Sequence, residues 1–216
     1  MAKCDRTGKR KIRELPKRKF ELGYYLVVTD TEATERYYFE GLHENLPRET
    51  REKLHIEVIP KIKTWDLVGK CQNLLSLDPQ YRIGWIVFDR DEVSNFNDII
   101  RQAESKGIHA GWSNPCFEIW LYAYFDETPE YNESTDCCKN FAEIYEKKSG
   151  CKYSKSDRNL YRTIKRIGNE KNAIKLSRQR YDSYRKRVKK IVQPSEMRSC
   201  SAVFQLVQEI REKVNK

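Results

Sequence analysis

The sequence predicts an α/β fold in which a mostly parallel sheet is flanked by helices and followed by a helical C-terminal region. Three observations lead to this prediction. Strand-like apolar runs alternate four times with helical patterns between residues 24 and 125. The links between these elements are short, as is typical of parallel strands connected through helices. After residue 126 the apolar residues follow helical spacing, and no strand pattern is seen.

The four predicted strands are short runs of apolar, aromatic and β-branched residues. They cover residues 24–28, 55–59, 83–88 and 109–112. A helical pattern follows each of them, with Asp30 or Thr31 as the expected N-cap of the first helix. Gly107 is expected to end the third helix, and Pro115 to lie in the first turn of the fourth. Further helices are predicted at residues 137–148, 157–190 and 201–215.

Charge divides the 216 residues unevenly. Residues 1–20 carry a net charge of +7, residues 21–146 carry −12 and residues 147–190 carry +14. We therefore predict a basic N-terminal arm (1–20), an α/β domain (21–126) and a basic helical region (127–216). An acidic centre with basic surroundings suits a site that holds cations while its flanks hold a polyanion. The alternative is that the charges of the basic helix predicted at residues 157–190 only face the solvent.

Composition excludes several classes of protein. No apolar run is long enough to span a membrane, and the N-terminus lacks the apolar segment of a secretory signal. The seven cysteines are odd in number and contain no CxxC pair. Cys137, Cys138 and Cys151 could share a metal ion, but reduced thiols are the favoured interpretation. We expect a cytoplasmic protein without membrane contacts.

Acidic side chains follow the predicted strands at their carboxyl ends, where ligands bind in open α/β sheets. Each signal is weak alone, because Asp30 could be an N-cap and an Asp-x-Asp pair is common. If the first and third strands are neighbours, the carboxylates converge, and a divalent cation such as Mg²⁺ or Mn²⁺ would neutralise them. The residues concerned are Asp30, Glu32 and Glu35 after the first strand, Asp89-Arg90-Asp91 after the third, and Asn114 and Glu118 after the fourth.

Four segments resemble the RloB-like family of abortive phage-resistance proteins. They are VVTDTEATERYYF, IGWIVFDRDE, GWSNPCFEIWLYAYF and the closing AVFQLVQEI. The resemblance implies a Toprim-like fold, metal-dependent nuclease activity and an ABC- or AAA-type ATPase partner. It departs at Asp30-Thr31, where the family typically has Glu-Gly, and at Tyr124, where the family has His.

The resemblance and the strand ends together assign roles to these residues. Asp30, Glu35, Asp89 and Asp91 are the expected metal ligands, and the same four with Glu32 are the expected catalytic residues. We expect the metal ligands to be supported by neighbouring residues that do not bind the metal themselves, namely Arg90, Asn114 and Glu118. For Glu118, an ordinary interaction with the helix dipole is the alternative.

The predicted helix at residues 157–190 combines cations with tyrosines, as nucleic-acid-binding surfaces do. Packing of Tyr161, Tyr181 and Tyr184 against the core is an equally good interpretation. The expected nucleic-acid-binding residues are Arg158, Arg162, Lys165, Arg166, Arg178, Arg180, Arg185, Lys186 and Arg187.

Three functions remain open from the sequence. The first is a nuclease effector of antiphage defence that cuts RNA, slightly preferred over DNA. The second is a catalytically weakened Toprim module that binds nucleic acid or an ATPase partner as a regulator. The third, a primase-like or phosphotransferase enzyme, is disfavoured because the chain has little room for further domains.

Overall fold

The computed structural model describes residues 20–77, 82–91, 93–127, 129–186 and 191–215. Within these residues one five-stranded sheet has the order β2-β1-β3-β4-β5. The first four strands run parallel, and β5 pairs antiparallel with β4. The predicted α/β class and mostly parallel sheet are confirmed, as is the adjacency of the first and third strands. The strands are β1 (Gly23–Thr29), β2 (Leu54–Ile59), β3 (Arg82–Asp89), β4 (His109–Asn114) and β5 (Cys200–Ser201).

Helices cover both faces of the sheet, because each parallel connection must cross over one face. None in the described parts of the chain is both long and apolar enough to cross a membrane. The helices are α1 (Thr34–Glu44), α2 (Arg48–Lys53), α3 (Leu67–Leu77), α4 (Phe96–Ser105), α5 (Glu118–Ala123), α6 (Ser134–Ser149), α7 (Leu160–Ile167), α8 (Glu170–Arg185) and α9 (Val203–Val214).

Alternation along the strands builds two cores, since successive side chains of a strand point to opposite faces. Tyr25 and Val27 of β1 pack on one face with α1 and with the helices from α5 onward. Leu26 and Val28 pack on the other face with α3 and α4. Each face of the sheet is therefore covered by its own apolar core.

Helices beyond residue 126 share the first core with the sheet. Phe141, Tyr161 and Val207 belong to the same buried cluster as Tyr25 and Trp85. The division of the chain at residue 126 stays a prediction. Residues 1–19 of the expected basic arm lie outside the described residues.

The expected N-cap of the first helix is wrong. Helix α1 begins only at Thr34, and no side chain caps it. Asp30 instead accepts a hydrogen bond from Thr64, and the Thr31 hydroxyl bonds to Glu35. Both candidate caps are thus committed to other partners at the end of β1.

The helix expected at residues 157–190 is two helices. Helix α7 ends at Ile167, and α8 begins at Glu170. Asn169 interrupts them because its side chain accepts a hydrogen bond from the backbone of Asn172 and so caps α8. The backbone N–H of Asn169 also donates to the Tyr124 carbonyl oxygen, which fixes the break against α5.

Three smaller differences concern short elements. Strand β5 was not predicted, because two residues show no alternation, and α2 was also missed. The fourth helix begins at Glu118, with Phe117 as its N-cap, so Pro115 lies before its first turn. Gly107, by contrast, has the left-handed φ of +69° expected at a helix end.

Gly41 provides a test of the packing between α1 and α7. A Cβ at Gly41 would lie 2.7 Å from the Cβ of Tyr161, which cannot move without the backbone of α7. We expect Gly41→Ala to lower the free energy of unfolding by about 1–3 kcal/mol despite the gain in helix propensity. Urea unfolding measures this change.

Gly69→Ala in α3 is the matched control. A Cβ there meets only the side-chain oxygen of Asp66, at 3.0 Å, which can rotate away. This variant should be neutral or slightly stabilised by its higher helix propensity. Equal effects at the two positions would contradict the assigned packing of α1 on α7.

Candidate metal centre

Asp30 and Asp89 meet at the carboxyl edge of the sheet. Asp89 ends β3, and Asp30 directly follows β1. The two strands are parallel neighbours with Thr29 opposite Val87, so both carboxylates emerge at the same edge. Helix α1 adds Glu35 in its first turn, and α5 begins with Glu118.

These four carboxyl groups are largely removed from water, yet each leaves one oxygen unpaired. Glu35 and Glu118 are each only 1% exposed. Buried polar atoms in proteins nearly always have a hydrogen-bond partner, so a cluster of exceptions needs an explanation. The unpaired buried oxygens are Asp30 Oδ1, Glu35 Oε1, Asp89 Oδ1 and Glu118 Oε2.

Three of the four groups ionise less readily than usual. Burial raises the pKa of Asp30 to about 6, with a further contribution from Asp91. Burial, together with Asp30 and Glu118, raises the pKa of Glu35 to about 8. Burial and three neighbouring carboxylates also hold the pKa of Asp89 well above its usual range. The protein thus gathers ionisable carboxyl groups in a place that disfavours their charged form.

Hydroxyl groups hold two of these carboxylates in position. The Thr64 hydroxyl donates to Asp30 Oδ2 at 3.0 Å, from the turn before α3. The Thr31 hydroxyl donates to Glu35 Oε2. In each of these two carboxylates one oxygen is hydrogen-bonded and the other is unpaired. The hydrogen bond therefore fixes the orientation of the unpaired oxygen.

Two residues from the loop after α6 complete the surroundings of Glu118. The Tyr153 hydroxyl donates to Glu118 Oε1 at 2.9 Å, and Lys155 Nζ lies 3.5 Å from the same oxygen. Although burial opposes its charge, attraction to Glu118 raises the pKa of Lys155. Neither residue was predicted from the sequence. A loop without a periodic pattern gives no indication that it contacts a residue 35 positions earlier in the chain.

Asp91 lies at the rim of the cluster. Its carboxylate is exposed and accepts a hydrogen bond from the Ser134 hydroxyl at 2.7 Å. Its backbone adopts a positive φ of +27°, which is unusual for a residue with a side chain. The negative charge of Asp91 contributes to the raised pKa of Asp30, so the exposed residue at the rim interacts electrostatically with the buried cluster.

Three other expected site residues are placed differently. Glu32 is exposed and pairs with Lys61 at 3.1 Å, on the surface. Arg90 is half-buried, and its backbone N–H donates to the Ser113 carbonyl oxygen. Asn114 is buried, but its side chain donates to the carbonyl oxygens at 194 and 195, so it fastens the chain ahead of β5.

Most of the expected nucleic-acid-binding cations lie on the surface of α7 and α8. Arg180 is the exception, because it pairs with Glu130 and donates to two backbone carbonyl oxygens. Arg187 lies outside the described residues. The exposed cations are Arg158, Arg162, Lys165, Arg166, Arg178, Arg185 and Lys186.

The tyrosines between these cations favour the packing interpretation. Tyr161 is fully buried and bonds to Glu170. Tyr181 packs against Trp112 and Phe204. The Tyr184 hydroxyl donates to the Arg198 carbonyl oxygen. The basic surface is therefore a surface of charge rather than of stacking rings.

A second group of possible metal ligands borders the carboxylates. Cys116, Glu118 and Cys138 bring one ligand atom each within 4.8 Å of one another and could hold a metal ion. Cys138 thus clusters with Cys116 rather than with Cys151, which is exposed. Among the described residues no other set of three ligand atoms converges this closely, so the carboxylates of the first cluster are more widely spaced.

The raised pKa of Glu35 predicts a pH dependence of stability. Its pKa exceeds the ordinary 4.5 and reaches about 8 in the folded chain, so between these values the folded state binds more protons than the unfolded state. The contribution of Glu35 to stability should therefore be full below about pH 4.5 and be lost as the pH rises to 8. Asp30 acts in the same direction.

Thermal melting at pH 5 and pH 8 in the presence of a chelator measures this effect. Glu35→Gln should reduce the loss between the two pH values, because the amide does not ionise. Glu40→Gln, on the outer face of the same helix and paired with Arg36, is the control and should keep the wild-type pH dependence. Identical pH profiles for Glu35→Gln and wild type would contradict the assignment.

Comparison with known proteins places the chain in a family. The family model described as "RloB-like protein" matches residues 25–210, which include all four carboxylates of the cluster. The chain has no match among curated proteins or among solved structures. With most of its length covered by that model, the chain belongs to the RloB-like protein family.

Proposed function

We propose that this protein is a Mg²⁺- or Mn²⁺-dependent Toprim-type nuclease that acts as an effector of antiphage defence in the cytoplasm. The observation that carries the proposal is the set of three unpaired, buried carboxyl oxygens on Asp30, Glu35 and Asp89 at the carboxyl edge of the sheet. A divalent cation explains why such a set exists, since it supplies the missing partner and cancels the repulsion.

The donor set fits a hard, hydrated cation. Asp30, Glu35 and Asp89 would hold it, with Asp91 at the rim. Mg²⁺ binds one or two carboxylates directly and keeps several waters, so it suits carboxylates that are not all within 4.8 Å of one another. When bound, such an ion polarises a phosphate and lowers the pKa of a coordinated water.

The chain's own residues orient this centre. Thr64 fixes Asp30, and Ser134 fixes Asp91, each through one carboxylate oxygen. Lys155 offsets part of the negative charge at Glu118, and its charge also reaches Asp89. Asp30 or Glu35 is the group that would accept a proton from the attacking water.

A nucleic acid is the polyanion best suited to the surroundings. Exposed cations cover α7 and α8, and Arg158 lies 5.9 Å from the ring of Tyr37 in α1, the helix that carries Glu35. Trp65 is 70% exposed and directly follows Thr64, which holds Asp30. An exposed indole next to the site can stack on an unpaired base, which favours RNA or another single strand.

The partner and the context of the activity come from the resemblance to phage-resistance proteins. We propose that an ABC- or AAA-type ATPase controls the nuclease. Such control fits a defence protein that must stay inactive until infection.

Substitution of Asp89 tests the proposal. We expect wild type to cleave total RNA or plasmid DNA with Mg²⁺ or Mn²⁺, and Asp89→Asn to lower the rate at least about 100-fold through loss of a metal ligand. Gel analysis of cleavage products measures the rate. Asp98→Asn is the matched control, since Asp98 is an exposed acid of α4 paired with Arg101, and it should cleave like wild type.

A second candidate function is a catalytically weakened module that binds nucleic acid or the ATPase as a regulator. The Thr31 hydroxyl favours it, because this residue stands where the resembling family has Gly, and it occupies one oxygen of Glu35. Tight binding of RNA or DNA without cleavage by wild type would support the regulator and contradict the nuclease. Cleavage that requires Asp89 would exclude the regulator as the main function.

The basic surface gives a separate prediction. Replacing Arg178, Arg185 and Lys186 by Gln should weaken nucleic-acid binding and reduce the slope of log K against log salt by about 2, because fewer counterions are released. Binding assays at several salt concentrations measure this slope.

The control replaces three exposed cations of α2, Arg48, Arg51 and Lys53. Helix α2 leads into the start of β2, so it lies towards the edge of the sheet opposite the carboxylates. Those substitutions should leave the slope unchanged. An equal slope for all three proteins would mean that α8 carries only a solvated charge.

A further inference from the structure

Two thiols and a carboxylate form a compact group beside the carboxylate cluster. Cys116 follows β4 by two residues, Glu118 begins α5, and Cys138 lies in the second turn of α6. Cys116 and Glu118 are buried, and Cys138 is half-buried. One ligand atom from each lies within 4.8 Å of the other two.

The separation of the two sulfurs matches a shared metal ion. Cys116 Sγ and Cys138 Sγ lie 3.8 Å apart. Two thiolates bound at about 2.3 Å to one tetrahedral zinc ion lie about 3.8 Å apart. A disulfide would need a separation of about 2 Å, which the two sulfurs could reach only by moving towards each other.

Glu118 provides the independent observation that points to a ligand. Its Oε2 is buried and has no hydrogen-bond partner, while Oε1 accepts from Tyr153 and faces Lys155. A carboxylate that is 1% exposed and half unpaired is an available donor. Together with two thiols it forms a three-ligand set that leaves the fourth tetrahedral position for water.

We propose that Cys116, Cys138 and Glu118 form a binding site for a thiophilic divalent cation, with zinc as the ion of matching geometry. This site is distinct from the Mg²⁺ position proposed at Asp30, Glu35 and Asp89, because thiolates select zinc whereas Mg²⁺ prefers oxygen ligands. The bound ion links α6 to the start of α5. It therefore fixes the helix that carries Glu118.

Cobalt(II) is the probe, since it takes the same ligands as zinc and reports thiolate bonds by absorption. The full chain, stripped of metal with a chelator and kept reduced, is titrated with Co²⁺. We expect one equivalent to produce a thiolate-to-cobalt charge-transfer band together with the visible bands of a tetrahedral ion. Added Zn²⁺ should abolish both, and excess Mg²⁺ should leave both unchanged.

Three variants locate the site. Cys138→Ser should lose the charge-transfer band and bind Zn²⁺ at least about 100-fold more weakly in competition with a chromogenic chelator. Cys151→Ser, which changes an exposed thiol, should match wild type. Asp89→Asn should keep the band, which separates this site from the proposed nuclease centre. Circular dichroism verifies that each variant is folded.

Measurements on wild-type protein alone are sufficient to reject the proposal. Wild-type protein that shows no thiolate band, or that binds Co²⁺ only in an octahedral oxygen environment, overturns the proposal. So does a band that persists in folded Cys138→Ser protein. Loss of the band in folded Asp89→Asn protein would also overturn it, because thiolate binding would then depend on the carboxylate cluster and the two sites would not be distinct.

Discussion

Repulsion among buried carboxyl groups is the constraint on which the rest of the site depends. Parallel pairing of β1 with β3 forces Asp30 and Asp89 to one edge, and α1 and α5 bring Glu35 and Glu118 to the same place. Burial raises the pKa of the first three groups, and the neighbouring carboxylates add to the shift. Either protonation or a bound cation relieves this repulsion, and the proposed divalent cation would do so while the carboxylates stay ionised.

The two sheet faces explain why the arrangement can persist. Each face is closed by its own apolar core, so the strands cannot separate to relieve the repulsion. The helical region adds Tyr153 and Lys155 from one loop, which satisfy one oxygen of Glu118. Stability supplied by the cores thus offsets the unfavourable charge at the edge, as is common where a binding site is built into a fold.

Much of the fold and part of the site could be predicted from the sequence. Strands β1, β3 and β4 are mostly buried and β2 alternates, so all four were visible in the sequence, and the ends of β1 and β3 located Asp30 and Asp89. Strand β5 is too short to show alternation. The break between α7 and α8 depends on Asn169 as the N-cap of α8, and the many charged residues around it gave no indication of a helix end. Tyr153 reaches Glu118 through tertiary folding alone, so no local pattern could have indicated it.

The order of the site residues along the chain has a consequence for synthesis. The carboxylates lie between residues 30 and 118, but Tyr153 and Lys155 follow later, and the core that supports them includes Val207 of α9. A chain still emerging from the ribosome therefore carries the carboxylates before it carries their supports. The supports of Glu118 join the carboxylates only late in synthesis, so the cation site proposed above would be incomplete in unfinished chains.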